Sequence, residues 1–212
     1  MTEEERIFNG ILFSPGHSDL KAIKLRSHNL SSQYSRTFED QTEERETLLL
    51  QILGRKGEGC FIQGPIFFHY GVHTEIGNYF FANYNLTVQD DAKVTIGNHV
   101  SFGPNVTIVT PVHPFIASER RQMLDQNGEP KSLCYAKPVT IGNDVWISAN
   151  VTVCGGVTIG DGCVIGAGSV VTQDIPAGSF AAGVPCRVIR PITEADSMRY
   201  KPEVLADCSV IE

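Results

Sequence analysis

Ile141-Gly-Asn-Asp-Val-Trp146, Ile147-Ser-Ala-Asn-Val-Thr152, Val153-Cys-Gly-Gly-Val-Thr158, Ile159-Gly-Asp-Gly-Cys-Val164, Ile165-Gly-Ala-Gly-Ser-Val170 and Val171-Thr-Gln-Asp-Ile-Pro176, followed by Ala177, repeat a branched or small apolar residue every six positions. The second place of each hexad is Gly or another small or hydroxylic residue, and the fifth is mostly Val, Ile, Cys or Ser. An α-helix repeats near 3.6 residues and a flat strand at 2, so neither explains this period. A parallel β-solenoid does: each short strand is followed by a turn, and equivalent positions stack from coil to coil. The reading expects every register residue from Ile141 to Ala177 to face one continuous core.

Upstream, a rougher block follows the β-like run Cys60–Tyr70, with register residues at Ile76, Ala82 and Val88, then Ile96, Phe102 and Ile108 after a slip of two. Between Pro111 and Pro138 the period vanishes. This long polar stretch reads as a loop thrown out from the solenoid, the kind of segment that carries function. The N-terminal third reads differently. Thr2-Glu-Glu-Glu5 is a capping box, Asp19 to Leu30 an imperfect amphipathic helix, and Asp40 to about Leu53 a better one ended by Gly54. These helices are expected to cover an open end of the solenoid. The expected division is 1–57 helical cap, 58–192 solenoid with the excursion at 111–138, and 193–212 a C-terminal tail.

The chain has 212 residues, a net charge of −7 and a sequence pI near 5.4. An acidic balance argues against a nucleic-acid or anionic-membrane surface, so an anionic ligand must be met by a local basic cluster. Arg187 and Arg190, with Lys137 and Lys201, form the main one. The six cysteines include no CxxC pair, and Cys154 and Cys163 sit at repeat positions that want small apolar side chains, so reduced thiols are expected. No signal-like or membrane-spanning run is seen, and the expected location is cytoplasmic.

His113 stands at the root of the excursion between Pro111-Val112 and Pro114. An imidazole there suits proton abstraction from an alcohol or amine near neutral pH, although a lone histidine between prolines is more often structural. Asn83 and Asp91 lie at turns of the first block, where an amide and a carboxylate could orient a polyol or simply shape the turn. Histidine spacing offers no clear metal triad.

Several stretches together resemble the hexapeptide-repeat acyltransferases, in particular the branch of maltose and galactoside O-acetyltransferases. They are Ala82-Asn-Tyr-Asn-Leu-Thr-Val-Gln-Asp-Asp91, Gly103-Pro-Asn-Val-Thr107, His113-Pro114, Ile141–Ile147 and Ala181-Ala-Gly-Val-Pro-Cys-Arg187. The resemblance runs from the N-terminal helices to about Ile192. It implies a mainly β fold, a left-handed parallel β-helix of triangular section, assembled as a homotrimer with active sites between subunits. It also implies acetyl-CoA as co-substrate; no metal is expected, from the histidine spacing. His113 matches the catalytic histidine, and Asn83, Asp91 and His69 match positions of the acetyl and acceptor pocket. Ala149, Ala167, Thr172, Gln173, Arg187 and Arg190, with Trp146 nearby, would line the CoA groove. The chain departs from the pattern at Pro15, at His69 (Ser or Asp in relatives), at Gln173 (often Lys) and in its longer excursion. Donor chemistry survives these departures, and it is the identity of the acceptor that they bear on. The reading is therefore an O-acetyltransferase acting on a sugar or sugar-like hydroxyl. Alternatives are a non-sugar or amine acceptor, a zinc-dependent protein of carbonic-anhydrase type, and a non-catalytic scaffold.

Overall fold

A computed structural model describes residues 1–128 and 130–205; Cys208 and the end of the tail lie outside that range. Three parallel sheets run the length of a solenoid. Sheet I stacks Arg55–Lys56, Thr74–Ile76, Val94–Ile96, Val139–Ile141 and Thr158–Ile159. Sheet II stacks Phe61–Ile62, Phe81–Ala82, Ser101–Phe102, Trp146–Ile147, Val164–Ile165 and Ser179–Ala182. The last of these pairs antiparallel with Arg187–Pro191. Sheet III stacks Ile66–Phe68, Leu86–Gln89, Thr107–Val109, Thr152–Cys154 and Val170–Val171. The chain visits I, II and III in turn on each coil.

The register residues form three columns. Ile76, Ile96, Ile141 and Ile159 align on sheet I, Ile62, Ala82, Phe102, Ile147, Ile165 and Ala181 on sheet II, and Phe68, Val88, Ile108, Val153 and Val171 on sheet III. All are at most 1% exposed. The fifth hexad position is inward too: Val145, Val151, Val157, Cys163, Ser169 and Ile175 are buried. Burying a branched apolar side chain is worth about 1.5–3 kcal/mol, so the stacked columns supply the main driving force for the coils.

The seventh register position differs from expectation. Ile175, not Ala177, pairs with Ile159, and Ala181 resumes six residues later opposite Ile165. The strand of sheet I is reduced there to a single bridge. A coil was also hidden: Lys56, Ile62 and Phe68 pair with Ile76, Ala82 and Val88. The Lys56 side chain is only 3% exposed and reaches Glu46 at 2.9 Å, so a lysine fills a register position at the end of the core.

Corner chemistry explains the polar repeat positions. Asn85, Asn105 and Asn150 take φ near +60°, a conformation Asn tolerates. Their amides form a ladder, Asn85 Nδ2 to Asn105 Oδ1 and Asn105 Nδ2 to Asn150 Oδ1, both 2.9 Å. At Gly103 a Cβ would lie 2.7 Å from the Ala149 nitrogen, so successive coils close up there only around a glycine.

Helices α2 (Ser18–Tyr34) and α3 (Thr42–Ile52) cover the first coil, whereas α1 (Glu3–Phe8) packs beside the edge between sheets III and I, with Phe8 against the His73 ring and Glu4 on His73 Nε2. The Thr2–Glu5 capping box forms as expected, and α2 runs a turn beyond Leu30. Ser27, Ser31 and Ser35 recur every four residues on the face of α2 that meets Ile66–Phe68. Ser27 Oγ donates to the Phe68 carbonyl at 2.8 Å, while the N–H groups of Phe68 and Ile66 donate to the hydroxyls of Ser31 and Ser35. Tyr34 and Arg45 both donate to the Ile62 carbonyl. Side chains thus satisfy the backbone groups that a terminal strand exposes.

The excursion is a folded arm rather than a plain loop. Pro111–Val112 pairs with Tyr135–Ala136, Met123–Leu124 with Pro130–Lys131, and a helical turn spans Ala117–Arg120. A bridge between Phe13 and Cys134 ties the arm to the N-terminal segment. The described cysteines are unpaired.

Candidate active site

Each candidate residue can be placed by the sheet it follows. His69 follows sheet III on the first coil, Asp91 on the second, and His113 on the third. All three therefore lie along the edge between sheets III and I. Asn83 and Ala149 follow sheet II, as does Ala167, which puts them on the edge between sheets II and III. Thr172 and Gln173 are exposed just after the last strand of sheet III. Trp146 points outward from sheet II, 54% exposed. One chain thus carries two partial constellations, separated by the width of sheet III.

On the first edge, His113 is exposed at the base of the arm and makes no hydrogen bond among the described residues. Below it lies a buried polar cluster. Asp90 accepts from the Tyr70 N–H and the Thr74 hydroxyl, both at 2.7 Å. His73 Nδ1 lies 2.9 Å from the carbonyls of Asp90 and Asp91, and its Nε2 lies 3.0 Å from Glu4 of α1. Asp91 is 2% exposed, and its Oδ2 and the Tyr70 hydroxyl are buried without a hydrogen-bond partner among the described residues. Burial, reinforced by the Asp90 charge and opposed by Lys24 and His73, raises the Asp91 carboxyl to about 6. Burial likewise raises Asp90 to about 6, against the hydrogen bonds it accepts. Lys24 donates to the Pro15 carbonyl at 2.7 Å, and its ammonium lies over the Tyr70 ring.

His69 is half-buried, with Nδ1 3.1 Å from His28 Nε2 on α2. Burial, with added repulsion from Lys24, His28 and His73, pulls the His69 imidazole down to about 4. Burial and Lys24 also lower His28. The pair is therefore neutral near pH 7 and shares one hydrogen between two ring nitrogens. His28 is a residue that sequence reasoning missed; it is 41 positions from His69, and no local pattern joins them.

On the second edge, Asn83 accepts from the Tyr84 N–H, and its own N–H donates to the Phe102 carbonyl. The Ala149 N–H makes no hydrogen bond among the described residues, while the Ala149 carbonyl accepts from Gly168. A free backbone donor beside the close-packed Gly103 is the arrangement an oxyanion needs. Arg187 is exposed, and one of its guanidinium nitrogens donates to the Cys186 carbonyl. Arg190 behaves differently: it forms a two-pronged pair with Asp196 at 2.6 and 2.8 Å and lies over Phe180. That contact holds the Asp196 carboxyl near 2. Of the two arginines, Arg187 has the freer guanidinium for a phosphate.

Residues 138–173 match the family model of bacterial transferase hexapeptide (six repeats). The chain is 42% identical to a galactoside O-acetyltransferase of Escherichia coli (strain K12) over 210 residues, 99% of each chain. It is 43% identical to a galactoside acetyltransferase solved in complex with coenzyme A (TM-score 0.84, covering 92% of this chain and 94% of that one). It is 39% identical to a maltose O-acetyltransferase from Clostridium difficile 630 (TM-score 0.83, 92% and 99%). With nearly full-length identity joined to a hexad-built solenoid, the chain belongs to the hexapeptide-repeat acetyltransferase family and is an acyltransferase.

Proposed function

We propose that the protein transfers an acetyl group from acetyl-CoA to a hydroxyl of a sugar or sugar-like acceptor, with His113 as general base. The observation that carries this reading is the near full-length likeness to a galactoside acetyltransferase solved with coenzyme A. His113 supports it as an exposed imidazole with no competing hydrogen bond among the described residues. In the reaction, His113 takes the proton of the acceptor hydroxyl as its oxygen attacks the thioester carbonyl. The tetrahedral oxyanion is met by the Ala149 N–H. Collapse expels the CoA thiolate, which receives the proton back from the imidazolium. Asn83, Asp91 and His69 face the acetyl and acceptor groups. Trp146, Ala149, Ala167, Thr172, Gln173 and Arg187 line the path of CoA, while Arg190 braces the C-terminal turn through Asp196.

The two separate edges support a homotrimer. A site that uses His113 together with Asn83 and Ala149 needs the III–I edge of one copy beside the II–III edge of another, and threefold closure supplies that contact at every interface. Sedimentation equilibrium checks the assembly, with a monomer as the refuting result. Use of acetyl-CoA as co-substrate supports a cytoplasmic location. Among the described residues, no helix is long and apolar enough to cross a membrane.

The test is thiol release from acetyl-CoA in the presence of a panel of sugars, polyols and amines. A sugar-dependent rate that falls by about 10²–10⁴ in His113→Ala is expected. Unchanged turnover in that variant overturns the base assignment, and release with amines alone overturns the O-acetylation.

A further inference from the structure

The feature that the reaction scheme leaves unused is the contact between two histidines from distant parts of the chain. His28 belongs to α2, His69 follows the first strand of sheet III, and their rings meet Nε2 to Nδ1 at 3.1 Å with centroids 5.2 Å apart. Phe67 packs 4.9 Å from the His28 ring, and Tyr70 meets the His69 ring edge-on at 5.1 Å. The pair is therefore fixed on both sides by aromatic contacts. Lys24 and His73 are the charged or titratable groups that act on it from α2 and from the coil. Both imidazoles have lowered pKa values, so neither carries a second proton near neutrality.

A neutral imidazole has one N–H and one bare nitrogen, and the partner of one nitrogen decides the state of the other. Here the bond to His28 engages Nδ1 of His69, leaving its Nε2 without a partner among the described residues. We propose that His28 is a positioning residue whose Nε2–H donates to His69 Nδ1 and so holds His69 as the Nε2–H tautomer, with His69 Nε2 donating to the acceptor. This deepens the proposed function and rests on His69 lining the acceptor pocket. A hydroxyl suits such a nitrogen because its oxygen accepts from Nε2–H. The acceptor it selects is a polyol whose hydroxyl meets His69 beside the reacting one. An acceptor lacking that hydroxyl leaves Nε2 unpaired and loses discrimination.

Two measurements test this on the full-length protein. Nitrogen-15 spectra of the histidine rings at pH 7.5 are expected to show His69 with well-separated ring-nitrogen shifts, one protonated and one bare. In His28→Leu they are expected to collapse toward an averaged pair. Steady-state kinetics are expected to show KM for the best sugar acceptor rising roughly tenfold in His28→Leu with KM for acetyl-CoA unchanged, the loss of about one oriented hydrogen bond. His28→Gln, which keeps a polar group able to meet Nδ1, is expected to recover part of the affinity and part of the shift separation. Unchanged His69 shifts and acceptor KM in His28→Leu overturn the proposal, as does an equal rise in both KM values. If the wild-type protein acetylates no sugar, the reading of function fails instead, and the spectra still report on the tautomer.

Discussion

Asp91 gives the sharpest quantitative test of the buried cluster. Its carboxyl is 2% exposed, one oxygen has no partner among the described residues, and burial raises it from 3.8 to about 6. The sign follows from linkage. Between about pH 4 and 6 the folded protein holds a proton that the unfolded chain has released, so stability falls as pH rises across that window. Above it the folded state carries the full cost of a buried charge. A difference of about 2 pK units at 1.36 kcal/mol each corresponds to about 3 kcal/mol, an upper bound because Asp90 beside it relaxes when Asp91 is removed. Asp91→Asn keeps the shape and removes the charge. The variant should therefore be more stable than wild type at pH 7.5 by up to about 3 kcal/mol, and the gain should shrink toward zero at pH 4.

Urea unfolding followed by tryptophan fluorescence at both pH values, at one fixed protein concentration, reads this directly. With slopes of about 1–3 kcal/mol/M, the urea midpoint should rise by up to about 1–3 M at pH 7.5. A stability difference that is the same at pH 4 and pH 7.5 refutes the argument from desolvation, and so does destabilisation at pH 7.5. The same variant should lose turnover, since stability and activity draw on the carboxylate in opposite directions.

The remaining predictions concern the cap, a corner and the donor groove. Ser27→Ala removes the donor to the buried Phe68 carbonyl and should cost about 1–3 kcal/mol, measured as a fall in thermal midpoint. Gly103→Ala puts a Cβ 2.7 Å from the Ala149 nitrogen. It should destabilise by about 1–3 kcal/mol and slow turnover together, because the coil that must shift carries the candidate oxyanion donor. Arg187→Ala should raise KM for acetyl-CoA by about tenfold, whereas Arg190→Ala, which breaks the pair with Asp196, should change it little. Equal effects of the two would return Arg190 to the groove.

The hexads from Ile141 were readable because six-residue spacing has few physical explanations, and the columns they predict are buried. What escaped the sequence did so for identifiable reasons. The coil through Lys56 was hidden because a lysine can occupy an inward position where α3 offers Glu46 to its ammonium, and hydropathy does not register such an exception. Ala177 fits the arithmetic of the repeat, yet the structure uses Ile175, because the corner after Val171 closes in fewer residues. Arg190 and Asp196 are close in sequence, but their pairing depends on the turn that follows Pro191. The contact between His28 and His69 joins a helix to a coil and has no periodic trace.

A hexad tells which way a side chain points; the position within a coil of three hexads tells which edge it occupies. Asp91 lies three residues past Val88 and Pro111 three past Ile108, and Val88 and Ile108 are paired. That pairing puts the carboxylate and the root of His113 on one edge, one coil apart. Asn83 and Gly103 each follow a register residue of sheet II, Ala82 and Phe102, which are likewise paired. The order of strands therefore separates His113 from Asn83 and Ala149 within a single chain. If the catalytic histidine and the oxyanion donor act on one acetyl group, they must come from different copies. An inactive His113→Ala protein mixed with an inactive Asn83→Ala protein should then regain part of the activity on subunit exchange, since some interfaces unite two intact edges. No recovery, with exchange confirmed by mass, would place both halves of the site in one subunit and contradict the geometry of the edges.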